Sequence, residues 1–449
     1  MASRTAATRA SYSSRGNAIS VPPTRARRRA AYCSGVMVAS LNRRGLWRPG
    51  RGCARRALPS LRGLRYEQVR ERSESMTHDR AFDPGAFADE AERSHTLPAR
   101  WYWDPAIYAR EVDRIFARTW QYAGPAADVA EPGAYTTTSV ADQEIAIVRG
   151  RDGVLRAFHN VCSHRAHRLL QGKGRTSVIV CPYHNWSYET DGAFLRARGL
   201  DGVRDFDRRA AALKPVRVEA MAGLLFVNLD ANARALMDVG GAIAREMAER
   251  CPGFDRLVLA HRHRVETKAN WKALVDNDLE SYHVAAAHPA LADLLDYSTF
   301  RVWEHELSTS HAMANTKGEN QAYRVDANDP VKEAIYTWLW PNTAFFISPG
   351  QSNVAIFQMA PKGPELTEQI WDFYFEDAAP NAAERAMIDY TCDILIPEDG
   401  ALCENVQRGL HSRGYAQGRF VVNRGNSELS EHHVHFFQAL VRDAVLGAR

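Results

Sequence analysis

The chain has 449 residues, of which 45% are hydrophobic and 24% are charged, a composition typical of a folded globular protein with two or three domains. No uninterrupted apolar run approaches the roughly 20 residues of a membrane-spanning helix, which excludes a transmembrane segment. The net charge of +4 combines two unlike parts, because residues 1–66 contain 15 Arg and no Lys, Asp or Glu, leaving −11 for the other 383 residues. A nucleic-acid binder with a basic domain face is therefore excluded.

Residues 1–75 form a leader that is rich in Arg, Ser and Ala and lacks a periodic apolar pattern, so we expect no folded domain there. Three interpretations stay open: a start codon placed upstream of a true start at Met76, a transit peptide, or a basic arm for nucleic acid or anionic lipid. Seven Cys in a chain of this length indicate a reducing compartment. We expect a cytoplasmic bacterial protein, or an organellar one if the leader is a transit peptide.

Beyond the leader, the spacing of apolar residues predicts a sequence of helices and strands. Asp104–Arg118 has the recurrence of an amphipathic helix. Between Gly133 and Val227, short β-branched segments separated by Gly and Asp turns predict a small antiparallel β domain. The pattern then predicts helices at Asp238–Arg250 and Asn270–His288, strands within Val325–Phe375, and helices over Asn381–His411 and Glu431–Leu446.

Four potential metal ligands occur in two turn regions of the predicted β domain. Cys162 and His164 form one pair, and Cys181 and His184 form the other. Each region supplies one thiolate and one imidazole, so facing loops could give two thiolates to one metal and two imidazoles to a second. That is the ligand set of a Rieske [2Fe–2S] cluster. A structural zinc site is an alternative, although zinc ligands usually come as Cys-x2-Cys and His-x3-His pairs.

A second group of potential ligands lies at the end of the predicted helix Asn270–His288. His283 and His288 are five residues apart, and Glu280 precedes them. Five residues place two side chains about 140° apart on a regular helix. Convergence on one metal therefore requires the helix to distort or end near His288, which Pro289 favours. Two His and one carboxylate form the facial triad of non-haem Fe(II) oxygenases.

Together these motifs resemble the oxygenase (alpha) component of the Rieske non-haem iron oxygenases over residues 95–449. The resemblance implies an α+β fold, in which a small antiparallel β Rieske [2Fe–2S] domain precedes a helix-grip, START-like catalytic domain with a central antiparallel sheet. The expected divisions are the leader at 1–75, an N-terminal helical segment of the catalytic part at 76–127, the Rieske domain at 128–227 and the mononuclear iron domain at 228–449.

The same resemblance implies roles for further residues. The carboxylate ligand of the mononuclear iron is expected five residues before Glu404, which selects Asp399 over its neighbour Glu398. Glu280 is expected to hydrogen-bond His283 and to reach His184 of the partner subunit, carrying electrons across an interface; an ordinary carboxylate that orients a metal-bound imidazole is the alternative. Asn277 matches a family position near the iron.

The resemblance also implies partners. We find no convincing dinucleotide fingerprint, so electrons from NAD(P)H are expected to arrive through a separate ferredoxin or a flavin/iron–sulfur reductase. The family further implies a homotrimer whose clusters work between subunits.

Within the family, the closest resemblance is to the branch of choline, glycine betaine and carnitine monooxygenases. It rests on Glu280 and on the segments Glu404–Tyr415 and Ser430–Phe437. It implies hydroxylation next to nitrogen in a quaternary ammonium or N-methyl compound, followed by demethylation or C–N cleavage. A cationic substrate favours aromatic faces, and the candidates are Trp303, Tyr323, Trp338, Trp340, Phe345, Phe346 and Phe357.

Two other functions remain as alternatives. The family also contains dioxygenases and monooxygenases that act on aromatic rings or aromatic acids. An electron carrier without catalysis would use only the Cys/His pairs, and His283, His288 and Asp399 argue against it, because a carrier needs no second iron site with open positions.

Overall fold

The computed structural model describes residues 82–316, 320–425 and 427–448. The leader with Met76 lies outside the described residues, so its three interpretations stay predictions. Over the described part of the chain, no helix has both the length and the apolar character needed to cross a membrane.

The first half of the described chain folds into antiparallel sheets. Its strands are Gln121–Pro125 (β1), Ala134–Val140 (β2), Gln143–Arg149 (β3), Leu155–His159 (β4), Gly174–Arg175 (β5), Ile179–Val180 (β6), Ser187–Tyr188 (β7), Phe194–Arg196 (β8), Pro215–Met221 (β9) and Leu224–Asn228 (β10). Seven form one sheet in the order β1-β10-β9-β4-β3-β2-β5, and β6, β7 and β8 form a small sheet. Cys162 and His164 follow β4, and Cys181 and His184 lie between β6 and β7. Both pairs therefore lie in connections of the antiparallel sheets that the sequence predicted.

The second half is built on another antiparallel sheet of seven strands. They are Val258–Thr267 (β11), Leu295–Glu304 (β12), Ser308–Asn315 (β13), Glu333–Leu339 (β14), Thr343–Ile347 (β15), Val354–Gly363 (β16) and Leu366–Phe375 (β17), in the order β11-β17-β16-β15-β14-β13-β12. Helices accompany this sheet, which confirms the α+β fold class with a central antiparallel sheet.

Eight α-helices occur in the described part of the chain. They are Pro105–Glu111 (α1), Leu236–Arg250 (α2), Trp271–Asp278 (α3), Val284–Ala287 (α4), Pro289–Leu294 (α5), Ala382–Tyr390 (α6), Ile396–Leu410 (α7) and His432–Leu446 (α8). Three begin at side-chain caps: Asp104 accepts from an N–H in α1, Asn270 does so in α3, and Asn381 forms a capping box with Glu384 in α6. π-helical segments extend α1 to Phe116 and join α6 to α7.

Two features of the second half differ from the sequence prediction. The predicted helix Asn270–His288 is broken, because α3 ends at Asp278 and α4 is a single turn. His288 leaves the helical region, with φ of −126°, since the residue before a proline is excluded from it, and Pro289 then begins α5. The sequence analysis did not predict strands β11, β12 and β13. Strand β11 lies at an edge of the sheet and exposes Arg262 and Arg264, so the alternation of apolar residues along it is weak.

A buried ion pair fastens the N-terminal helix to the second half of the molecule. Glu111 at the end of α1 accepts from the Lys272 ammonium at 2.5 Å and from the Trp271 indole at 2.9 Å, and neither charged side chain is exposed. Phe116 packs edge-on against Trp271 with ring centres 5.0 Å apart. The segment before β1 is therefore part of the same core as α3.

Candidate active site

The two Cys/His loops share one backbone conformation. In each loop the cysteine carbonyl accepts the N–H four residues along, from Ala166 in one and Asn185 in the other, both at 3.0 Å. Each cysteine N–H donates to the carbonyl five residues along, at 2.9 Å for Cys162 and 2.8 Å for Cys181. Ala166 and Asn185 have φ of 56° and 57°, the left-handed region that such a tight loop requires. Two matching loops thus present one pair of ligands each.

The four side chains of these loops come together with the thiols inside and the imidazoles outside. Cys162 and Cys181 are buried, His164 is exposed and His184 is half-buried. The two imidazole rings lie 4.7 Å apart between centres, and His164 stacks on Trp186 at the same separation. The structure therefore brings together the four residues selected from the sequence.

The polar environment of this group fits a metal cluster. Burial raises the pKa of the Cys181 thiol, while the N–H groups of Tyr183 and His184 lower it because they stabilise the thiolate. Burial and the neighbouring His164 lower the pKa of His184, which favours the neutral imidazole that binds metals. The buried Nδ1 of His184 has no hydrogen-bond partner within the described chain. Thiolate-stabilising donors and an unpartnered imidazole nitrogen are what a [2Fe–2S] ligand set needs.

The Tyr188 hydroxyl is a neighbour of this group that the sequence analysis did not select. It lies 3.2 Å from Cys162 Sγ and accepts from the backbone N–H of Ser163 at 3.0 Å. Since that N–H occupies a lone pair, the hydroxyl hydrogen remains available to the sulfur. A tyrosine seven residues after Cys181 gave no separate signal in the sequence.

His283, His288 and Asp399 meet in a second group, with ligand atoms all within 4.8 Å of one another. Asp399 Oδ1 lies 2.9 Å from His288 Nε2 and 3.6 Å from His283 Nε2. The break between α3 and α4 places His283 just before α4 and His288 just after it, so the imidazoles converge despite the five-residue spacing. Asp399 comes from the first turn of α7.

Two further carboxylates hold the outer nitrogens of these imidazoles. Glu280 Oε1 lies 2.5 Å from His283 Nδ1, and Glu398 Oε2 lies 2.7 Å from His288 Nδ1. A carboxylate can only accept, so each Nδ1 carries a hydrogen, and Nε2 of each ring is the nitrogen that faces Asp399. The amide of Asn277 lies 3.4 Å from His283 Nε2.

Electrostatics at this group depend on the same contacts. Burial lowers the pKa of His283, but hydrogen bonds to Asp399 and Glu280 outweigh it and raise the pKa to about 9. Burial likewise opposes the charged form of Asp399, yet the two imidazoles lower its pKa. Such a group favours a positive charge at its centre, which a divalent metal ion can supply in place of a proton.

A cavity opens beside these residues, and strands of the sheet line one wall of it with aromatic rings. Consecutive strands of the sheet contribute one ring each: Tyr336 of β14 pairs across the sheet with Phe346 of β15, and Phe357 of β16 pairs with Trp371 of β17. Phe357 and Trp371 stack with ring centres 4.1 Å apart and Phe346 and Trp371 with centres 5.4 Å apart. Tyr297, His311 and Phe373 also line the cavity.

Two of the seven aromatic candidates from the sequence line this cavity, namely Phe346 and Phe357. The others, which pack elsewhere, are Trp303, Tyr323, Trp338, Trp340 and Phe345. The sequence analysis missed Tyr297, Tyr336, Trp371 and Phe373. Phe346 lines the cavity and its neighbour Phe345 does not, because adjacent residues of a strand point to opposite faces of the sheet.

The charged groups of the cavity are acidic. Asp278 and Glu280 line it together with the metal-ligand group, and among the described residues no Lys or Arg does. Burial, and then the nearby Asp399, raise the pKa of Asp278 to about 8. Burial lowers the pKa of His311 to about 4, so this imidazole is neutral. The neighbouring Asp276 faces a different group, accepting from the Tyr102 hydroxyl at 2.5 Å.

Comparison with known proteins gives two family matches along the chain. The Rieske [2Fe-2S] domain matches residues 119–207, and the ring hydroxylating alpha subunit (catalytic domain) matches residues 254–447.

Individual relatives cover about four fifths of the chain. The carnitine monooxygenase oxygenase subunit of Acinetobacter baumannii is 36% identical over 360 residues, which are 80% of this chain and 97% of the relative. The chloroplastic choline monooxygenase of Beta vulgaris is 33% identical, over 80% of this chain and 79% of the relative. A solved quaternary ammonium Rieske monooxygenase, described in terms of carnitine oxidation and inter-subunit electron transfer, is 35% identical with a TM-score of 0.74, over 80% of this chain and 97% of that one.

Proposed function

The chain belongs to the Rieske non-haem iron oxygenases, which use a Rieske [2Fe–2S] cluster and a mononuclear iron, and from this premise we propose that it hydroxylates a quaternary ammonium or N-methyl compound. Oxygen enters at the carbon next to nitrogen. The C–N bond of the hydroxylated product then breaks to give an amine and an aldehyde, and this step is a demethylation when the hydroxylated carbon is a methyl group. Relatives named for carnitine and choline support this substrate class.

The single observation that carries the proposal is the combination of aromatic rings and acidic groups in one cavity. A quaternary ammonium ion cannot donate a hydrogen bond, and the faces of aromatic rings attract it at about 6 Å or less from the ring centre. The wall of Tyr336, Phe346, Phe357 and Trp371 supplies such faces. Asp278 and Glu280 line the same cavity, and a bound cation would favour the ionised form of Asp278 over the protonated form that burial favours.

We assign the cluster to the first group of ligands. Cys162 and Cys181 would hold one of its irons, and His164 and His184 would hold the other. Support comes from the matched loops, the buried thiols and the unpartnered Nδ1 of His184. His164 is exposed, so an electron could enter or leave the bound cluster on that side.

We assign the mononuclear Fe(II) to His283, His288 and Asp399. These three residues would hold the iron beside the cavity, and the bound cluster and iron would supply the electrons and the site for dioxygen activation. Glu280 and Glu398 hold the imidazole rings in the tautomer that presents Nε2. Asn277, at 3.4 Å from His283 Nε2, lies close enough to hydrogen-bond a ligand of the metal.

We further propose a homotrimer in which the cluster of one subunit serves the iron of the next. Glu280 and His283 line both the aromatic cavity and a second pocket on the other side, where Val406 and Tyr415 are exposed. Exposed apolar side chains next to Glu280 favour an interface there. Tyr183, beside the cluster ligands, is exposed in the same way. A separate ferredoxin or reductase would deliver electrons from NAD(P)H.

We also propose where the domains of the chain begin and end and where in the cell the enzyme is found. We place the Rieske domain at 128–227, the catalytic domain at 228–449 and the segment 76–127 with the catalytic part, which the buried contact of Glu111 with Lys272 supports. We place the enzyme in a bacterial cytoplasm; the chloroplastic relatives show that the branch also occurs in an organelle, which would require the leader to be a transit peptide.

A single-turnover experiment tests the substrate class. The holoenzyme is reduced, mixed once with oxygen and offered either choline, glycine betaine and carnitine or a set of simple aromatic acids. Each substrate with a quaternary ammonium group is paired with an analogue in which a tert-butyl group replaces the trimethylammonium group, so that this end of the molecule is uncharged. We expect an aldehyde from a cationic substrate, in proportion to the enzyme reduced, and weaker binding of the uncharged analogue.

Hydroxylated arene without aldehyde would move the enzyme to the ring-hydroxylating alternative and would leave the metal assignments in place. Equal binding of the cation and its uncharged analogue would contradict the role of the aromatic wall.

A further inference from the structure

A third group of metal-ligating side chains lies away from the iron ligands, where α8 begins beside the end of β12. Glu304 from β12 and His432 and His433 from α8 have ligand atoms all within 4.8 Å of one another. The two histidines belong to the segment Ser430–Phe437, which the sequence analysis used only as a mark of the choline and carnitine branch. Neither the cluster nor the mononuclear iron uses these residues.

His433 is the least satisfied member of this group. Its side chain is only 2% exposed, and its buried Nε2 has no hydrogen-bond partner in the described part of the chain. Burial, and then the nearby His432 and His311, lower the pKa of His433 to about 2. The ring is therefore neutral, so one of its two nitrogens has a lone pair that a metal ion can bind.

The separation between His433 and Glu304 fits two ligands of one ion better than a hydrogen bond. His433 Nε2 lies 3.5 Å from Glu304 Oε1. N–H to O hydrogen bonds are usually about 2.7–3.2 Å long. Two ligand atoms on a tetrahedral Zn²⁺, each bonded at about 2.0–2.1 Å, are roughly 3.3 Å apart.

His432 is oriented so that it can supply the third ligand. Its Nδ1 is hydrogen-bonded to Ser430 Oγ at 2.8 Å, which leaves Nε2 available, and its ring centre is 4.4 Å from that of His433. Arg424, the nearby positive charge, is engaged with Glu92 at 3.0 Å. Glu304 is 41% exposed, so an ion and a water molecule can enter from its side.

We propose that Glu304, His432 and His433 bind a divalent transition-metal ion, best matched by Zn²⁺ with water as fourth ligand. Two imidazoles and one carboxylate are an established zinc ligand set. Because Glu304 ends an edge strand of the sheet and the histidines begin the C-terminal helix, the ion would join α8 to that strand.

Zinc counting on the iron-loaded holoenzyme tests this site. The protein is treated with a mild chelator, dialysed against buffered Zn²⁺, and analysed for zinc and iron per chain together. We expect the unmodified protein to bind one zinc without losing iron, and His433→Gln to lose it, with at least about a tenfold weaker affinity. Glu304→Gln, at an exposed position, should weaken zinc binding without disturbing the core.

A matched control lies in another His/Cys group. His261, His263 and Cys392 also have ligand atoms within 4.8 Å of one another, so His263→Ala removes a potential ligand there and must leave the one zinc in place. Zinc should also raise the melting temperature of the unmodified protein but not of His433→Gln. Equal zinc in the unmodified protein, His433→Gln and Glu304→Gln would overturn the proposal, as would zinc that appears only when iron is lost.

Discussion

At the scale of single residues, Glu398 and Asp399 show how neighbours on a helix receive different roles. Successive residues on a helix point about 100° apart. Asp399 consequently faces Nε2 of both histidines, while Glu398 reaches around to Nδ1 of His288. The preference for Asp399 came from a spacing in the family, and the geometry supplies the physical reason. One carboxylate can ligate, and the other can orient a ligand.

Replacing His288 by Ala should remove the mononuclear iron and abolish turnover, because two ligands hold the ion too weakly. The Rieske absorption and electron paramagnetic resonance signals should remain, since His288 contacts none of the cluster ligands. Iron analysis beside both spectra checks this outcome. His411→Ala, at an exposed histidine paired with Glu365, is the control and should keep both metals. Loss of both metals in His288→Ala alone would contradict the two-site assignment.

Glu280 should matter more for electron transfer than for holding iron. Glu280→Gln keeps an oxygen acceptor for His283 Nδ1 but removes the negative charge. We expect both metals to stay bound and single-turnover oxidation of the reduced cluster to slow by about 10- to 100-fold. Stopped-flow absorption of the cluster measures this rate. Glu398→Gln is the matched control on the other imidazole. Equal slowing in both variants would mean that Glu280 only orients its imidazole and has no separate role in electron transfer.

At the scale of elements, α1 and α3 depend on one buried ion pair. Removing one partner leaves the other charge buried without compensation, which usually costs about 3–5 kcal/mol. Glu111→Ala should therefore lower the free energy of unfolding by about that amount, as measured by urea denaturation. The double variant Glu111→Leu with Lys272→Met should recover most of the loss, because no charge is then buried. If Glu111→Ala were as stable as the unmodified protein, water would have to reach the Lys272 ammonium.

The aromatic wall of the cavity is formed by rings from four paired strands. Residues that alternate along one strand share a face of the sheet, but antiparallel pairing decides which rings of different strands become neighbours. Strands β14 to β17 bring Tyr336, Phe346, Phe357 and Trp371 to one face. The sequence predicted strands within Val325–Phe375, where β14 to β17 lie, yet it could not tell which face of the sheet would meet the cavity.

At the scale of the whole molecule, the proposed transfer between subunits predicts complementation. Chains with Cys162→Ser would lack the cluster, and chains with His288→Ala would lack the mononuclear iron, so each variant alone should be inactive. When both are expressed together, mixed trimers should place an intact cluster beside an intact iron and regain part of the activity. Purification through two different tags followed by a turnover assay measures it. Inactive mixed trimers would indicate transfer within one subunit.

The sequence by itself determined the α+β class, and it selected the candidate ligands Cys162, His164, Cys181, His184, His283 and His288. Those features depend on residue type and local spacing, which are present in any stretch of chain. Only the tertiary structure decided how Asp399 meets the two imidazoles, which rings line the cavity, and that Glu304 lies beside His432 and His433. Each of these depends on contacts between residues far apart in the chain, and such contacts arise only when strands pair and helices pack on them.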